Sequence, residues 1–427
     1  MRNLNIAIRS LFKKGRHNVM KIISLSVGLS VALVMIAKIY FEQSYDTFYP
    51  DADRIYRIYE NYSMNGKEED YYQVSGAVAP AMRSEIPGVE DATRLTYIGG
   101  DNTLFTTPDK QRYSARYIMM ADSNVFDIFP VPILSGNPKV VLAKPWYAMI
   151  SRSLAEKIRE GNSLESVIGK TLSVDRKEPM SIRGVFEDMG ENADIHFDVV
   201  VPMSKLWNLA RGGWGYDISY MSIIRFRDPA KDIKAVEARI PDMLKKYMAD
   251  SSNKKKSHRF SFRPLLEYHT ADPTVRLMIL MMSVLGIAIL LIAAFDYVLI
   301  AVSSLARRAK SIGVHKCCGA TDNSIFRMFL TETALVLFIS VLLTILLIFQ
   351  FREFVEEIAG IRLSSLFTWQ TLWVPLTVLL VVFILAGAIP ASIFASIPVT
   401  QVFRRYAERK TSWKRPLLFI QFAALTN

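Results

Sequence analysis

Apolar residues gather in four unevenly spaced stretches, at about 22–41, 277–303, 328–351 and 372–396. A helix needs about 20 mostly apolar residues to cross a bilayer, so each stretch predicts a transmembrane helix. A long, mixed sequence separates the first from the second, whereas the third and fourth follow closely. That spacing predicts four transmembrane helices with one large domain inserted between helices one and two. The first stretch is too long for a signal-peptide core and no small-residue cleavage site follows it, so it reads as an uncleaved span.

Within the inserted domain, residues 42–273, the pattern changes to strand and amphipathic-helix periods. RIYRIYENY (54–62), VEDATRLTYI (89–98), YMSIIRFR (220–227) and FSFRPLLEY (260–268) read as strands. AVAPAMRSEIPG (77–88) predicts a helix stopped at Pro87-Gly88, and AKDIKAVEARIPDMLKKYM (230–248) an amphipathic helix. Two βαβ units separated in sequence suggest a ferredoxin-like split α/β sandwich. Between them, at about 100–215, lie strand candidates at 112–120, 170–175 and 180–187 and a helix at 151–160 with Ser151 as N-cap. This β-rich stretch is expected to form an inserted subdomain. The fold class is thus an α-helical membrane protein with a large α+β extracytoplasmic domain.

Charge fixes the expected orientation. Arg2, Arg9, Lys13, Lys14, Arg16 and Lys21 precede the first span with no acidic residue. Arg307, Arg308, Lys310 and Lys316 lie between spans two and three, and a further basic run at 404–415 follows span four. The positive-inside rule places all three in the cytoplasm, with the large domain and the acidic 352–362 loop outside. This clustering accounts for much of the net charge of +12, so nucleic-acid binding is not needed to explain it. Residues 3–14 put Leu4, Ile8, Leu11 and Phe12 on one helical face. Two readings stand: an amphipathic helix on the inner membrane surface (residues 1–21), or a basic flank of span one.

Both cysteines, Cys317 and Cys318, are adjacent in the basic loop, so no disulfide supports the outer domain. The five histidines are scattered and no spacing fits a zinc site. The sequence has no G-x-x-x-x-G-K-[ST] phosphate loop, no G-x-S-x-G elbow and no H-E-x-x-H pair. The chain is not expected to be an enzyme, nor to bind a cofactor or metal itself.

Polar residues inside the spans are the remaining candidates. Lys38 sits about 10 Å from the centre of span one at 1.5 Å per residue, where its side chain can snorkel. Asp296 in span two is a functional candidate by default; a proton path and a helix-packing hydrogen bond are its alternative roles. Glu332, near the start of span three, suits a structural pairing with Arg307 or Arg308. Gly387 and Pro390 in span four predict a kink, either a flexing point or a static fit.

The stretch AFDYVLIAVSSLARRAKSIGVHKCCGATDNSIFRMFLTETALV (294–336) resembles the signature of FtsX-like ATP-binding cassette permeases. Arg307, Arg308, Lys310, Gly313, Val314, Lys316, Gly319 and Ala320 carry that likeness; Ser311, Cys317-Cys318 and Asp296 depart from the usual pattern. SYDTFYPDADRIYRI (44–58), LSGNP (134–138), SRSLAEKI (151–158), IGKTLSVD (168–175) and IRGVFEDMGENADIHFDVVVPM (182–203) follow the order of the MacB-like periplasmic core domain. AGAIPASIFASIPVTQVF (386–403) resembles the end of a permease half, closing a region that starts at 274. KTSWKRPLLFIQFAALTN (410–427) is similar to the lead into a second half in double-length members, so the chain is expected to be a truncated or split first half; a short peripheral tail is the alternative.

The resemblance implies the membrane-spanning subunit of a transporter in a bacterial inner membrane, its large domain in the periplasm. A separate cytoplasmic subunit using ATP and magnesium would dock on the loop at 304–327. A second permease half is implied, with membrane lipids and a periplasmic or outer-membrane partner. Export or extraction of antibiotics, peptides, lipids or lipoproteins is the leading expectation. A non-transporting mechanotransmission device regulating a periplasmic partner is the alternative. A chemoreceptor-like protein would leave spans three and four unexplained.

Overall fold

The computed structural model describes residues 18–64, 67–98, 103–106, 112–115, 117–159, 161–174, 179–205, 214, 220–248, 257–303 and 312–396. The chain divides into two compact units, Ser44–Asp272 and a second formed by Met1–Gln43 with Pro273–Asn427. Helix α1 (Asn18–Gln43) belongs to the second unit and ends one residue before the first begins.

The Ser44–Asp272 unit, called the outer unit after its expected side of the membrane, is built on one sheet. Its strands are β1 (Ile55–Met64), β2 (Lys67–Tyr71), β3 (Val89–Tyr97), β4 (Thr103–Thr106), β5 (Arg112–Ala115), β6 (Ile118–Ala121), β7 (Ile133–Ser135), β8 (Tyr147–Ser151), β9 (Thr171–Val174), β10 (Pro179–Phe186), β11 (Val199–Pro202), β12 (Met221–Phe226) and β13 (Ser257–Pro264). Their order is β13-β1-β12-β3-β6-β11-β8-β10-β9-β4-β5, with β2 added on β1 and β7 on β10. The first four positions, all antiparallel, are the ferredoxin-like arrangement that the two split βαβ units predict.

Helices α2 (Val78–Glu85) and α4 (Pro229–Met248) cover one face of that part, and α3 (Arg152–Ile158) packs on the far part. Ile55 and Ile58 stand three apart on β1 and therefore point to opposite faces. Both are fully buried, Ile58 under the two helices and Ile55 in the core shared with Phe126, Phe186 and Phe197. Burial on both faces explains the continuous apolar runs of β11 (VVVP) and of Ile223-Ile224 in β12.

The inserted stretch, expected as a β-rich subdomain, is continuous with the rest of the unit. It has its own core around Ile150, Leu154, Ile182 and Val201, but β6 pairs antiparallel with β3 through Leu95↔Ala121, so one sheet runs through both parts. Arg94 reinforces the join. Its guanidinium donates to Asp122 Oδ2 at 2.9 Å and Oδ1 at 2.7 Å, and to the Gly76 carbonyl at 3.0 Å. The expected strand at 112–120 is two strands, β5 on β4 and β6 on β3 and β11. Ser151 caps α3 as expected, its Oγ accepting from the Leu154 amide at 3.4 Å.

A second correction concerns 260–268. The strand ends at Pro264, and α5 (Leu265–Ala271) follows at once. Proline cannot donate to a ladder and its fixed φ suits a helix start, while Leu265, 2% exposed, turns into the core.

The other unit contains four helices long and apolar enough to span a membrane: Asn18–Gln43, Pro273–Ser303 (α6), Asp322–Gln350 (α7) and Trp369–Ile393. Each begins before the bound read from hydropathy, and the first also runs past its far bound. Spans one and two approach closely: a Cβ built on Gly28 would lie 2.4 Å from Ala293 Cβ. Such small-residue contacts let membrane helices pack by dispersion where water supplies no drive. Helix α8 (Arg352–Ala359) ends in a left-handed Gly360, φ 68°, before the chain returns to span four. The 3–14 helix candidate and the 404–427 segment lie outside the described residues.

Candidate functional site

The loop expected to meet a partner is partly described. Arg307, Arg308 and Lys310 lie outside the described residues; Gly313, Val314, Lys316, Gly319 and Ala320 lie within them. Residues 312–317 are helical. Ile312, 1% exposed, packs into the membrane-unit core with Ile325, Phe329, Ala391 and Ala395. Gly313 is buried beside it, while Val314, Cys317 and Cys318 are exposed and share a face at i, i+3, i+4 spacing.

The end of this short helix explains the Gly-Ala-Thr sequence. Gly319 takes φ 90°, a conformation that costs a side chain dearly, and the Ala320 amide donates to the His315 carbonyl at 3.0 Å. Thr321 then caps α7, its Oγ1 accepting from the Ser324 amide at 3.3 Å. Stop and restart occupy three residues, so little slack remains between the short helix and span three.

Lys316 ties this elbow to two other elements. Its Nζ donates to the Ala395 carbonyl, at the end of span four, at 2.8 Å, and pairs with Asp322 Oδ1 in the first turn of span three at 2.7 Å. The lysine side chain is 9% exposed and the aspartate 70%. The hydrogen bond to the carbonyl therefore outweighs the solvated ion pair.

The polar residues of the spans are brought together. Asp296 accepts from Ser24 Oγ at 3.3 Å, joining spans one and two. The next residue, Tyr297, donates its hydroxyl to Thr333 Oγ1 at 3.0 Å, joining spans two and three. Lys21 is 1% exposed, with Nζ 3.4 Å from Asn18 Oδ1 and 5.3 Å from the centre of the Tyr297 ring. Glu332 is buried, 7% exposed, beside Thr333 in sequence; its expected partners Arg307 and Arg308 are outside the described residues. Higher on span three, Thr344 Oγ1 donates to the Ser26 carbonyl at 3.1 Å.

Span four joins the same cluster through Gly387. A Cβ there would lie 3.0 Å from Thr333 Cγ2. Gly387 belongs to a π-helical turn, Ile384–Ala388, in which the Ile389 amide reaches back to the Ile384 carbonyl. Pro390 follows directly. Its ring would crowd the carbonyl four residues back in a regular α-helix, and the wide turn relieves that. A contact chain thus runs Lys21–Tyr297–Thr333–Gly387 across all four spans.

Lys21, Ser24, Tyr297 and Thr333 were not singled out by sequence. Lys21 reads there as one more cytoplasmic flanking charge. The available signal was the recurrence of polar pairs, Lys21 with Ser24, Asp296-Tyr297 and Glu332-Thr333, one pair on each of three spans. Lys38 pairs with Glu42 and lies 5.4 Å from the Phe41 ring centre. Lys38 also lines an apolar cavity of about 640 Å³, with Val34, Met35, Met278, Met282 and Phe354. Among the described residues no group of three His, Cys, Asp or Glu could hold a metal ion.

Comparison with known proteins bears on the membrane part. Residues 283–399 match the family model described as FtsX-like permease C-terminal. A solved domain of a protein described as a permease from Porphyromonas gingivalis is 29% identical, with a TM-score of 0.45, covering 51% of this chain and 91% of that one. The periplasmic region of MacB from Actinobacillus actinomycetemcomitans is 14% identical, with a TM-score of 0.36, covering 53% of this chain and 94% of that one. No curated protein matches the chain.

Proposed function

We propose that this chain, whose residues 283–399 form an FtsX-like permease region, is the membrane-spanning subunit of an ATP-binding cassette transporter. A separate cytoplasmic subunit would bind ATP and magnesium and dock on the 304–327 loop. This chain would contribute no catalytic residue, no cofactor and no metal ligand. Two permease halves would work together in a bacterial inner membrane, with Ser44–Asp272 in the periplasm.

The carrying observation is the elbow at 312–322. It is a short capped helix tied by Lys316 to the start of span three and the end of span four. A push delivered to such an element moves two spans together instead of dissipating in a loop. The Lys21–Tyr297–Thr333–Gly387 contacts would pass that motion to spans one and two, which lead into the outer unit. The cargo would be an amphiphile, an antibiotic, a peptide, a lipid or a lipoprotein.

The test is ATP hydrolysis in vesicles containing this chain and its nucleotide-binding subunit. Reversing Arg307 and Arg308 to Glu is expected to abolish stimulation of hydrolysis and co-purification of the two chains. Unchanged hydrolysis and unchanged binding would overturn the docking site. A rate raised by added amphiphile favours export; a rate indifferent to every cargo favours a mechanical regulator of a periplasmic partner.

A further inference from the structure

The two ends of the outer unit meet at one buried acid. Asp46 adopts φ 58°, a left-handed conformation uncommon outside glycine, and is 1% exposed. Its amide donates to the Asn192 carbonyl at 2.9 Å, and its Oδ1 accepts from the Asp194 amide at 3.2 Å. Its Oδ2 is buried with no hydrogen-bond partner among the described residues. Asn192 Nδ2 donates to the Ser44 carbonyl at 2.8 Å. Asp194 Oδ1 lies 3.5 Å from His269 Nδ1 on α5, and the His269 ring stacks on Tyr45 with centroids 3.4 Å apart. The lead-in at 44–49, the loop at 190–194 and the exit helix α5 are therefore closed into one ring of contacts. Ser44 directly follows the span-one helix, and α5 ends two residues before the span-two helix begins.

A carboxylate held here with an unfilled oxygen is costly when charged and tolerable when neutral. Burial pushes Asp46 up from 3.8 to about 7. The Asp194 amide opposes that shift, the Asp194 charge adds to it, and His269 opposes it. The neighbouring Tyr49 hydroxyl is buried and raised well above its usual range, first by burial and then by Asp46. Tyr97 on β3 and Tyr268 on α5 both feel the Asp194 charge, and Glu191 adjoins Asn192 in the loop.

We propose that Asp46, Asp194 and His269 form a proton-binding clasp that holds the entering and leaving segments of the outer unit together. The clasp is closed while Asp46 carries its proton and loosens when Asp46 ionises beside Asp194. The sign follows from the raised acid. Opening lets Asp46 return toward its ordinary value, so closure is strongest in acid. It weakens as pH rises from near 4 to about 7 and then levels off.

Hydrogen exchange on the full-length protein in lipid nanodiscs tests this, with rates corrected for intrinsic exchange. Protection of peptides covering 44–49 and 190–195 is expected to fall roughly 100-fold from pH 5 to pH 7, at about tenfold per unit, then flatten. Peptides from β12 (Met221–Phe226) should not change. Asp46→Asn keeps an oxygen for the Asp194 amide and should give a flat profile. A flat wild-type profile, or an equal slope in Asp46→Asn, overturns the clasp. Should Asp46→Asn fail to fold, His269→Gln decides the matter. Removing that ring takes away an influence that holds the Asp46 value down, so the midpoint should move to higher pH, and an unmoved midpoint counts against the proposal. None of these readouts requires the ATPase subunit, so failure here is distinct from failure of the transporter reading.

Discussion

A methyl group on Gly28 probes how tightly spans one and two are fitted. The built Cβ falls 2.4 Å from Ala293 Cβ, and neither atom can rotate away because both are fixed to backbone. Overpacking of this kind costs about 1–3 kcal/mol. With no flexible tip to yield, the upper value applies, offset by about 1 kcal/mol of helix propensity gained. Gly28→Ala should therefore destabilise by about 2 kcal/mol. Ala293→Gly alone loses about 1 kcal/mol of propensity and about 0.8 kcal/mol for a buried methyl, also about 2 kcal/mol. Combined, the two changes swap the methyl across the interface. The nearest remaining atoms to a Cβ at 28 are then Ala293 Cα at 3.6 Å and the Ile289 carbonyl at 3.8 Å, which are ordinary contacts. The double variant should lie within about 1 kcal/mol of wild type, a coupling of about 3 kcal/mol. Unfolding in mixed micelles with increasing dodecyl sulfate, followed by circular dichroism, measures all three. A neutral Gly28→Ala, or a double variant equal to the sum of the singles, would refute the close crossing.

Lys316→Met keeps the stem but removes the charged donor to Ala395. The lost hydrogen bond is worth about 1.5–3 kcal/mol, so the full chain should lose about that much stability in the dodecyl sulfate titration; a loss below about 0.5 kcal/mol argues against the tie. Arg94→Lys replaces a two-pronged contact with Asp122 by a single one. It should lower outer-unit stability by about 1.5–3 kcal/mol in a urea titration of the full chain, with a loss below about 0.5 kcal/mol ruling out a structural role for the join. Gly387→Val should lower the thermal midpoint through collision with Thr333 Cγ2, costing about 1–3 kcal/mol. Thr333→Ser removes that methyl, keeps the oxygen that Tyr297 reaches, and should restore the midpoint; no rescue would place the strain elsewhere.

The four spans and the ferredoxin-like core could be read in the sequence because each is set by local periodicity. Long apolar runs leave one choice inside a membrane, and alternating strands around an amphipathic helix specify βαβ units. What escaped is non-local. The pairing of β3 with β6 passes over the intervening β4 and β5, and no local pattern in 89–97 or 118–121 announces it. At 260–268 the alternation of apolar residues runs on across Pro264, but the ladder cannot. At the candidate site, Gly319-Ala320 and Thr321 were legible as a helix stop and start in retrospect, because capping chemistry is local. The bond from Lys316 to a main-chain carbonyl was not, since a carbonyl acceptor leaves no mark on sequence. Lys21 was hidden by its position, where a flanking basic residue is expected on other grounds.

The π-helical turn at Ile384–Ala388 holds one residue more than an α-helical turn has room for. Pro390 pins that surplus, since a regular turn would press its ring on the carbonyl four residues back. Making the turn regular with every residue kept would swivel the stretch beyond it by about 100°, the angle of one residue in a helix with 3.6 residues per turn. Ala395 lies on the far side of the surplus, and its carbonyl is the anchor for Lys316. The wide turn thus sets the bearing at which span four presents that anchor to Lys316.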